Sequence, residues 1–236
     1  MYIERTNSTN TLLQELVAKG NPPEFIYTSF QTAGRGQTGN GWESEEGKNL
    51  LCSILLPPRK NLFELNVVTS VAVQRMLGEG FTIKWPNDIY WQDKKVAGIL
   101  IENALIGNEL KYSIAGIGLN VNQTEWLSNA PNPVSLKQIT GHTYDIATLM
   151  QQLLNEVHKA EKEDLWDYYK AHLYRKDGFW PFREREVSIA PTMNARPDAS
   201  TFLAHIEDVL PTGEIVLRDK NNQQRNYHFK QIQYVL

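Results

Sequence analysis

The stretch FTIKWPNDIYWQDKKVAGILIENALIGNELKYSIAGIGLNV, residues 81–121, decides the fold. Four strand-type segments crowd into it: Phe81–Trp85, Ile89–Trp91, Val96–Glu102 and Leu110–Val121. They are rich in the β-branched and aromatic residues that suit a pleated surface. The links between them, Pro86-Asn87, Gln92-Asp93-Lys94 and Gly107-Asn108, are turn material. Strands joined by hairpins, with helices grouped elsewhere, predict an α+β fold built on a mixed, mainly antiparallel sheet.

Upstream of this stretch, Leu12, Leu13, Leu16 and Val17 lie at helical spacing and Gly20 can end that helix. Phe25–Phe30 reads as a strand, residues 31–48 as a loop with five glycines, and Asn49–Leu56 as a nearly continuous apolar strand stopped by Pro57-Pro58. Leu62–Gly78 carries a helical pattern. Downstream, Ile146, Leu149, Met150, Leu153, Leu154 and Val157 form the cleanest amphipathic helix, followed by a second helical stretch over Leu165–Tyr174. From Phe182 the pattern becomes short strands and turns: Glu186–Ile189, Thr201–Val209, Glu214–Arg218, Arg225–Phe229 and Gln231–Val235. Such a run predicts a small β-barrel after the main domain. The expected domains are residues 1–181 and 182–236.

The 236 residues suffice for one good-sized core with a small appendage. A net charge of −3 shows no basic footprint in bulk, which argues against a nucleic-acid-binding module. The single cysteine, Cys52, sits inside an apolar run and reads as a small buried hydrophobe, so no disulfide framework exists and a reducing, cytoplasmic setting is expected. Neither a signal peptide nor a long apolar span is visible.

Two tempting motifs fail. Gly34, Gly36 and Gly39 spell G-x-G-x-x-G, but the turn runs on through Trp42 into an apolar strand rather than opening a helix, so a dinucleotide site is not expected. Residues 41–49 faintly resemble a phosphate-binding loop, but the spacing is one residue too long and Asn49 is not Ser or Thr. The five histidines and one cysteine show no metal-ligand spacing.

Four constellations remain. The loop Gln31 to Trp42 offers glycine backbone N–H groups to an anion, Arg35 as a forked cation and Trp42 as a cover for an apolar ligand. A solvated surface loop would look the same in composition. Lys84-Trp85-Pro86-Asn87-Asp88, followed by Lys94-Lys95 and Gly98-Ile99-Leu100, leaves Lys84 and Asp88 at strand ends; an ordinary hairpin with surface charges is equally consistent. Gly116-Ile117-Gly118-Leu119-Asn120 has glycines that mark a bulge or close approach, and Asn120 can both donate and accept. Ser8-Thr9-Asn10 opens the first helix, where capping is the default role and anion binding a compatible one.

Taken together and in this order, Ser8-Thr9-Asn10, Gln31-x-x-Gly34-Arg35-Gly36, Trp42, Lys84-Trp85-Pro86-Asn87-Asp88, Lys95-x-x-Gly98-Ile99-Leu100 and Gly116-x-Gly118-x-Asn120 resemble the biotin–protein ligase family. The Lys-Trp-Pro-Asn-Asp run is the most specific part, and the motifs cover residues 5–122. The resemblance implies a mixed sheet followed by an SH3-like barrel. It implies an ATP-dependent ligase that makes biotinyl-5'-AMP and passes biotin to a lysine of a carboxylase's biotin carboxyl carrier protein. It implies that Ser8, Thr9, Asn10, Gln31, Gly34, Arg35, Gly36, Lys95, Gly98, Gly116 and Gly118 bind biotin. Arg35, Trp42, Lys84, Asn87, Asp88, Lys95 and Asn120 would bind ATP, with Lys95 and Arg35 catalytic. Mg²⁺ would arrive with ATP, Asp88 being its candidate ligand, with no tightly bound metal.

Family loops often carry a further Arg where this chain has Gln37, which removes one cation from the closing loop. Some members carry an N-terminal DNA-binding domain; seven residues precede Ser8, so neither that domain nor DNA binding is expected. The glycine loop is expected to close over its ligand. Asp88 is a candidate base for the acceptor lysine. A homodimer stays open, since an exposed edge strand can pair between copies. Two alternatives stay open: a lipoyl or octanoyl transferase of the same fold class, whose different Gly-rich pattern with a neighbouring His is not found here, and a non-catalytic biotin sensor, which would keep the pocket but lose Lys84, Asp88, Lys95 and Asn120.

Overall fold

The strand segments of residues 81–121 form one side of a large sheet, from its middle strand out to an edge. The computed structural model describes residues 1–37, 41–107, 109–128, 130–185 and 201–235. Its elements are β1 (Tyr2–Thr6), α1 (Thr9–Ala18), β2 (Phe25–Gln31), β3 (Leu50–Leu56), α2 (Phe63–Leu77), β4 (Phe81–Lys84), β5 (Asp88–Trp91), β6 (Lys94–Ile106), β7 (Glu109–Leu119), α3 (Leu136–Thr140), α4 (Ile146–Ala160), α5 (Trp166–Ala171), β8 (Trp180–Glu184), β9 (Thr201–Val209), β10 (Ile215–Asp219), β11 (Gln224–Tyr227) and β12 (Ile232–Tyr234).

Seven strands form one sheet in the order β1-β2-β3-β7-β6-β5-β4. β1 lies parallel to β2 and the other pairs are antiparallel. This is the expected mixed, mainly antiparallel sheet flanked by helices. β3 and β7 are central; β3 is nearly wholly buried and β7 is buried mainly from Ser113 onward, which explains the apolar run of β3. One face packs on α1 through Leu13, Ile26, Leu55 and Ile114. The other packs on α2, α4 and α5 through Ile54, Val71, Leu153 and Tyr169. Helix α4 starts where Asp145 Oδ1 accepts the Thr148 N–H at 2.7 Å, and α3 opens with a reciprocal Ser135–Gln138 capping box.

The five remaining strands form a second sheet, β11-β10-β9-β8-β12. A small barrel was the expectation; among the described residues the sheet is open, since β11 and β12 are its edges and do not pair. Its first described strand is β8, at Trp180–Glu184. The strand expected over Glu186–Ile189 and the break at Asn194–Pro197 lie outside the described residues. β1, α3 and β8 carry no clear sequence pattern.

The two sheets share a core. One cluster of buried side chains runs from Leu50, Ile83 and Trp85 to Phe182, Ile206, Ile215 and Tyr234. Trp85 Nε1 donates to Gly213 O at 3.1 Å. Phe63 packs on Gly213, where a Cβ would stand 2.5 Å from the ring, and Gly213 has φ +91°. Lys176 Nζ donates to Ile206 O and Arg175 Nη1 to Val235 O, both at 2.8 Å. Among the described residues no helix is long and apolar enough to cross a membrane.

Candidate active site

The site's floor is made of glycine. β6 and β7 pair Gly98 with Gly118 and Leu100 with Gly116, and β3 sets Ser53 opposite Gly116. A Cβ on Gly116 would overlap the Asn10 side chain, and one on Gly118 would overlap the Trp42 indole. One on Gly98 would stand 2.8 Å from the Trp42 ring and 3.1 Å from Lys95 Nζ. None of the three has a positive φ, so space alone requires glycine there. The floor thus runs from Asn10 past Trp42 to Lys95.

One end of this cavity is polar and buried. Ser8, Thr9 and Asn10 are each at most 5% exposed. Ser8 occupies the N-cap of α1 but makes no side-chain cap bond. The helix donor is taken by Gln31 instead: its Oε1 accepts the Thr9 N–H at 2.8 Å and the Thr9 hydroxyl at 3.1 Å. Ser53 Oγ lies 2.7 Å from Thr9 Oγ1 and 2.5 Å from Asn10 Oδ1. Asn10 Nδ2 donates to Glu102 Oε2 at 2.7 Å. Arg35 Nη2 donates to the same oxygen at 3.0 Å and to Thr11 Oγ1 at 3.2 Å.

The other end is charged. Lys95 Nζ lies 2.7 Å from Asp88 Oδ1 and 5.7 Å from the centre of the Trp42 ring. Lys95 and Gly98 are three residues apart, which in a regular strand would place them on opposite faces. Ile89 pairs with Ala97 while Tyr90 pairs with Lys95, so Val96 is an extra residue. This bulge turns Lys95 onto the glycine face. The glycine loop closes its base with Trp42 N–H donating to Gly34 O at 3.0 Å and a bridge between Arg35 and Gly41. Thr38, Gly39 and Asn40 lie outside the described residues.

A second cavity adjoins the first, sharing Gln37 and Asp88. Lys84, Trp85, Asn87, Arg185, Phe229 and Lys230 line it. Lys84 Nζ donates to Tyr90 Oη at 2.9 Å. Burial, foremost, pushes the Lys84 ammonium down to about 8; Asp88 opposes this, and Lys95, Arg175 and Arg185 add to it.

Of the residues expected from the sequence, Ser8, Thr9, Asn10, Gln31, Arg35, Gly36, Trp42, Asp88, Lys95, Gly98, Gly116 and Gly118 line the first cavity. Gly34 lies under Trp42, where a Cβ would stand 2.7 Å from Trp42 O. Lys84 and Asn87 line the second cavity. Asn120 lines neither. It is buried and donates through Nδ2 to Val134 O at 3.1 Å, tying β7 to the segment before α3. Arg35 is paired with Glu102, a residue outside the motifs. Glu102 had one signal, a charge closing an apolar strand on the alternation of Gly98 and Leu100; Ser53 had another, a hydroxyl amid the apolar run of β3. Cys52 also lines the cavity, and burial pushes its thiol up to about 12, which leaves it inert. Among the described residues no group of three or more His, Cys, Asp or Glu could hold a metal.

The helix-flanked mixed sheet followed by a second antiparallel sheet is a fold shared with a solved biotin protein ligase. The biotin protein ligase from Aquifex aeolicus in complex with biotin and ATP matches with a TM-score of 0.76 at 22% identity, over 100% of this chain and 98% of that one. Residues 2–120 match the profile of the biotin/lipoate A/B protein ligase family, and the chain belongs to that family. It is 29% identical to the bifunctional ligase/repressor BirA of Bacillus subtilis (strain 168), over 96% of this chain and 71% of that protein. It is 26% identical to the biotin–[acetyl-CoA-carboxylase] ligase of Paracoccus denitrificans, over 94% and 95%.

Proposed function

We propose that this protein is an ATP-dependent ligase that converts biotin to biotinyl-5'-AMP and transfers biotin to a lysine of a biotin carboxyl carrier protein. The observation that carries the reading is the convergence of Ser8–Asn10, the loop at Arg35–Gly36, Lys95 and the glycines of β6 and β7 on one cavity. The names of the relatives support it.

The chemistry fits the two ends. Thr9, Asn10, Gln31 and Ser53 are buried or half-buried hydrogen-bonding groups, suited to an uncharged polar ring such as biotin's ureido head. An octanoyl chain has no polar head to exchange hydrogen bonds with these groups, so it would gain nothing from the polar end of the cavity. The acid's chain would run between Asn10, which rests on Gly116, and Trp42, which rests on Gly98 and Gly118. At the charged end the acid's carboxylate oxygen attacks the α-phosphorus of ATP, and diphosphate leaves. Two like charges at about 4 Å repel by roughly 4 kcal/mol at an effective dielectric of 20. Lys95 offsets this, exchanging its partner Asp88 for the incoming anions. Trp42 offers a face to the adenine, and Lys84 and Asn87 face the second cavity, where the phosphate tail leads. In the second step the acceptor amine attacks the acyl carbon, AMP leaves with the bonding pair, and the amine's proton goes to Asp88 or water.

Mg²⁺ bound with ATP would supply positive charge to the phosphates. An ion held by one or two carboxylates and substrate phosphates needs no prebuilt cluster, and Asp88, which lines both cavities, fits as its protein ligand. The carrier domain is the acceptor, and the inert thiol suits a cytoplasmic enzyme. The test is diphosphate release from Mg·ATP with biotin, lipoate or octanoate in separate reactions. Biotin-dependent release supports the reading; release with another acid overturns the substrate, and none with any acid overturns the activity.

A further inference from the structure

Both outer parts of the acid pocket are tied to a single carboxylate oxygen that no motif includes. Glu102 Oε2 accepts from Asn10 Nδ2 at 2.7 Å and from Arg35 Nη2 at 3.0 Å. Glu102 itself is fixed by strand pairing, with Ile114 opposite it on β7. Its side chain is 26% exposed and that of Arg35 45%. Asn10 sits at the start of α1, on the floor made by Gly116, and Arg35 opens the glycine loop. Helix and loop are thereby anchored to one point of the sheet.

We propose that Glu102 is a positioning residue for the acid half of the reaction, acting through Asn10 and Arg35. Its carboxylate can only accept, so it compels Asn10 to present nitrogen to β6 and oxygen to Ser53. That sets the amide's orientation at the polar end before any ligand arrives. Toward Arg35 it acts as a tether. The guanidinium is already matched by a carboxylate and by Thr11, so Arg35 holds the base of the loop to α1 and β6 through its side chain. What it offers the acid is loop placement and backbone N–H, and Lys95 supplies the charge. This assignment differs from the role the family resemblance gives the Arg35 side chain.

The inference rests on the proposed reaction for its kinetic part and is independent of it for its structural part. Glu102→Ala and Glu102→Gln are made in the full chain, with thermal unfolding as a check of folding. Tryptic cleavage after Arg35, measured without ligand, reads the tether. Direct biotin binding and the KM values for biotin and ATP read the pocket. Bonds to a charged acceptor are worth about 1.5–3 kcal/mol, or roughly tenfold to a hundredfold. Glu102→Ala is expected to weaken biotin binding by about tenfold or more, to leave KM for ATP within about twofold, and to speed cleavage after Arg35. Glu102→Gln keeps an acceptor for Asn10 but loses the charge, so biotin binding recovers most of the way while cleavage stays fast. A folded Glu102→Ala protein with wild-type biotin affinity and wild-type cleavage overturns the proposal. So does an equal rise in both KM values. If the wild type releases diphosphate with another acid, that acid replaces biotin in the comparison; the proteolysis result stands in either case.

Discussion

Trp42 and Trp85 are both tryptophans laid against glycine, and they differ in what the indole N–H does. Trp85 Nε1 is buried and donates to Gly213 O, across the junction of the two sheets. Trp42 Nε1 is buried over Gly118 with no partner among the described residues. A buried donor without an acceptor costs about 1–3 kcal/mol. The junction is therefore finished as it stands, while the site holds a tension that structure alone does not relieve. The two glycines differ likewise. Gly213 is needed for both backbone and space, at φ +91° with Phe63 against it. Gly118 is needed for space only.

The contrast can be broken or sharpened by experiment. The largest effect belongs beside Trp42: Lys95→Ala should lower biotin-dependent diphosphate release by about 10²–10³ without loss of thermal stability. An unfolded variant would show that this end of the cavity is a structural junction like the other. Next, Trp85→Phe should cost about 1–3 kcal/mol in denaturant unfolding, because Gly213 O loses its donor. Trp42→Phe should cost nothing in the same assay and change KM for ATP. Equal losses would erase the distinction. Among the glycines, Gly213→Ala should destabilise by about 1–3 kcal/mol through overpacking on Phe63. Gly118→Ala pushes on the Trp42 ring without backbone strain, so it should destabilise less than Gly213→Ala and raise KM for ATP.

The last effect is a pH dependence. Lys84 lies against the Trp85 junction with its ammonium pushed down to about 8 from 10.5. A folded state that releases this proton earlier than the unfolded state gains stability as pH rises between those values. Stability should rise from about pH 8 toward 10, a slope that Lys84→Met abolishes. Unchanged slopes in wild type and variant would remove Lys84 from the account.

Much of this was legible because local and tertiary demands coincide. β3 and the inner half of β7 are buried, so the sequence there shows apolar runs bounded by turns. The amphipathic α4 was equally plain. β1 was not, since its residues Tyr2–Thr6 alternate no apolar face and pair at a sheet edge. The site motifs were legible as residues but not as contacts. The spacing Lys95-x-x-Gly98 looks wrong for a strand until the extra residue Val96 is seen. Nothing in Gly-Arg-Gly tells that Arg35 points to Glu102, because that pairing joins residues 67 apart. Asn120 reads as a ligand-facing amide yet ties backbone segments together. The open sheet was read as a barrel because strand count and turn spacing do not report closure.

The shared core between the sheets has a consequence for cooperativity. A chain whose buried cluster spans Ile54, Trp85, Phe182 and Ile215 has no apolar boundary at which one part can melt first. Unfolding should be a single transition, with calorimetric and van't Hoff enthalpies equal. Ligand bound on the α1 face of the large sheet then stabilises strands it never touches. At a biotin concentration of one hundred times its Kd the gain is about 2.7 kcal/mol, and it should appear undivided in the hydrogen exchange of β9 and β10.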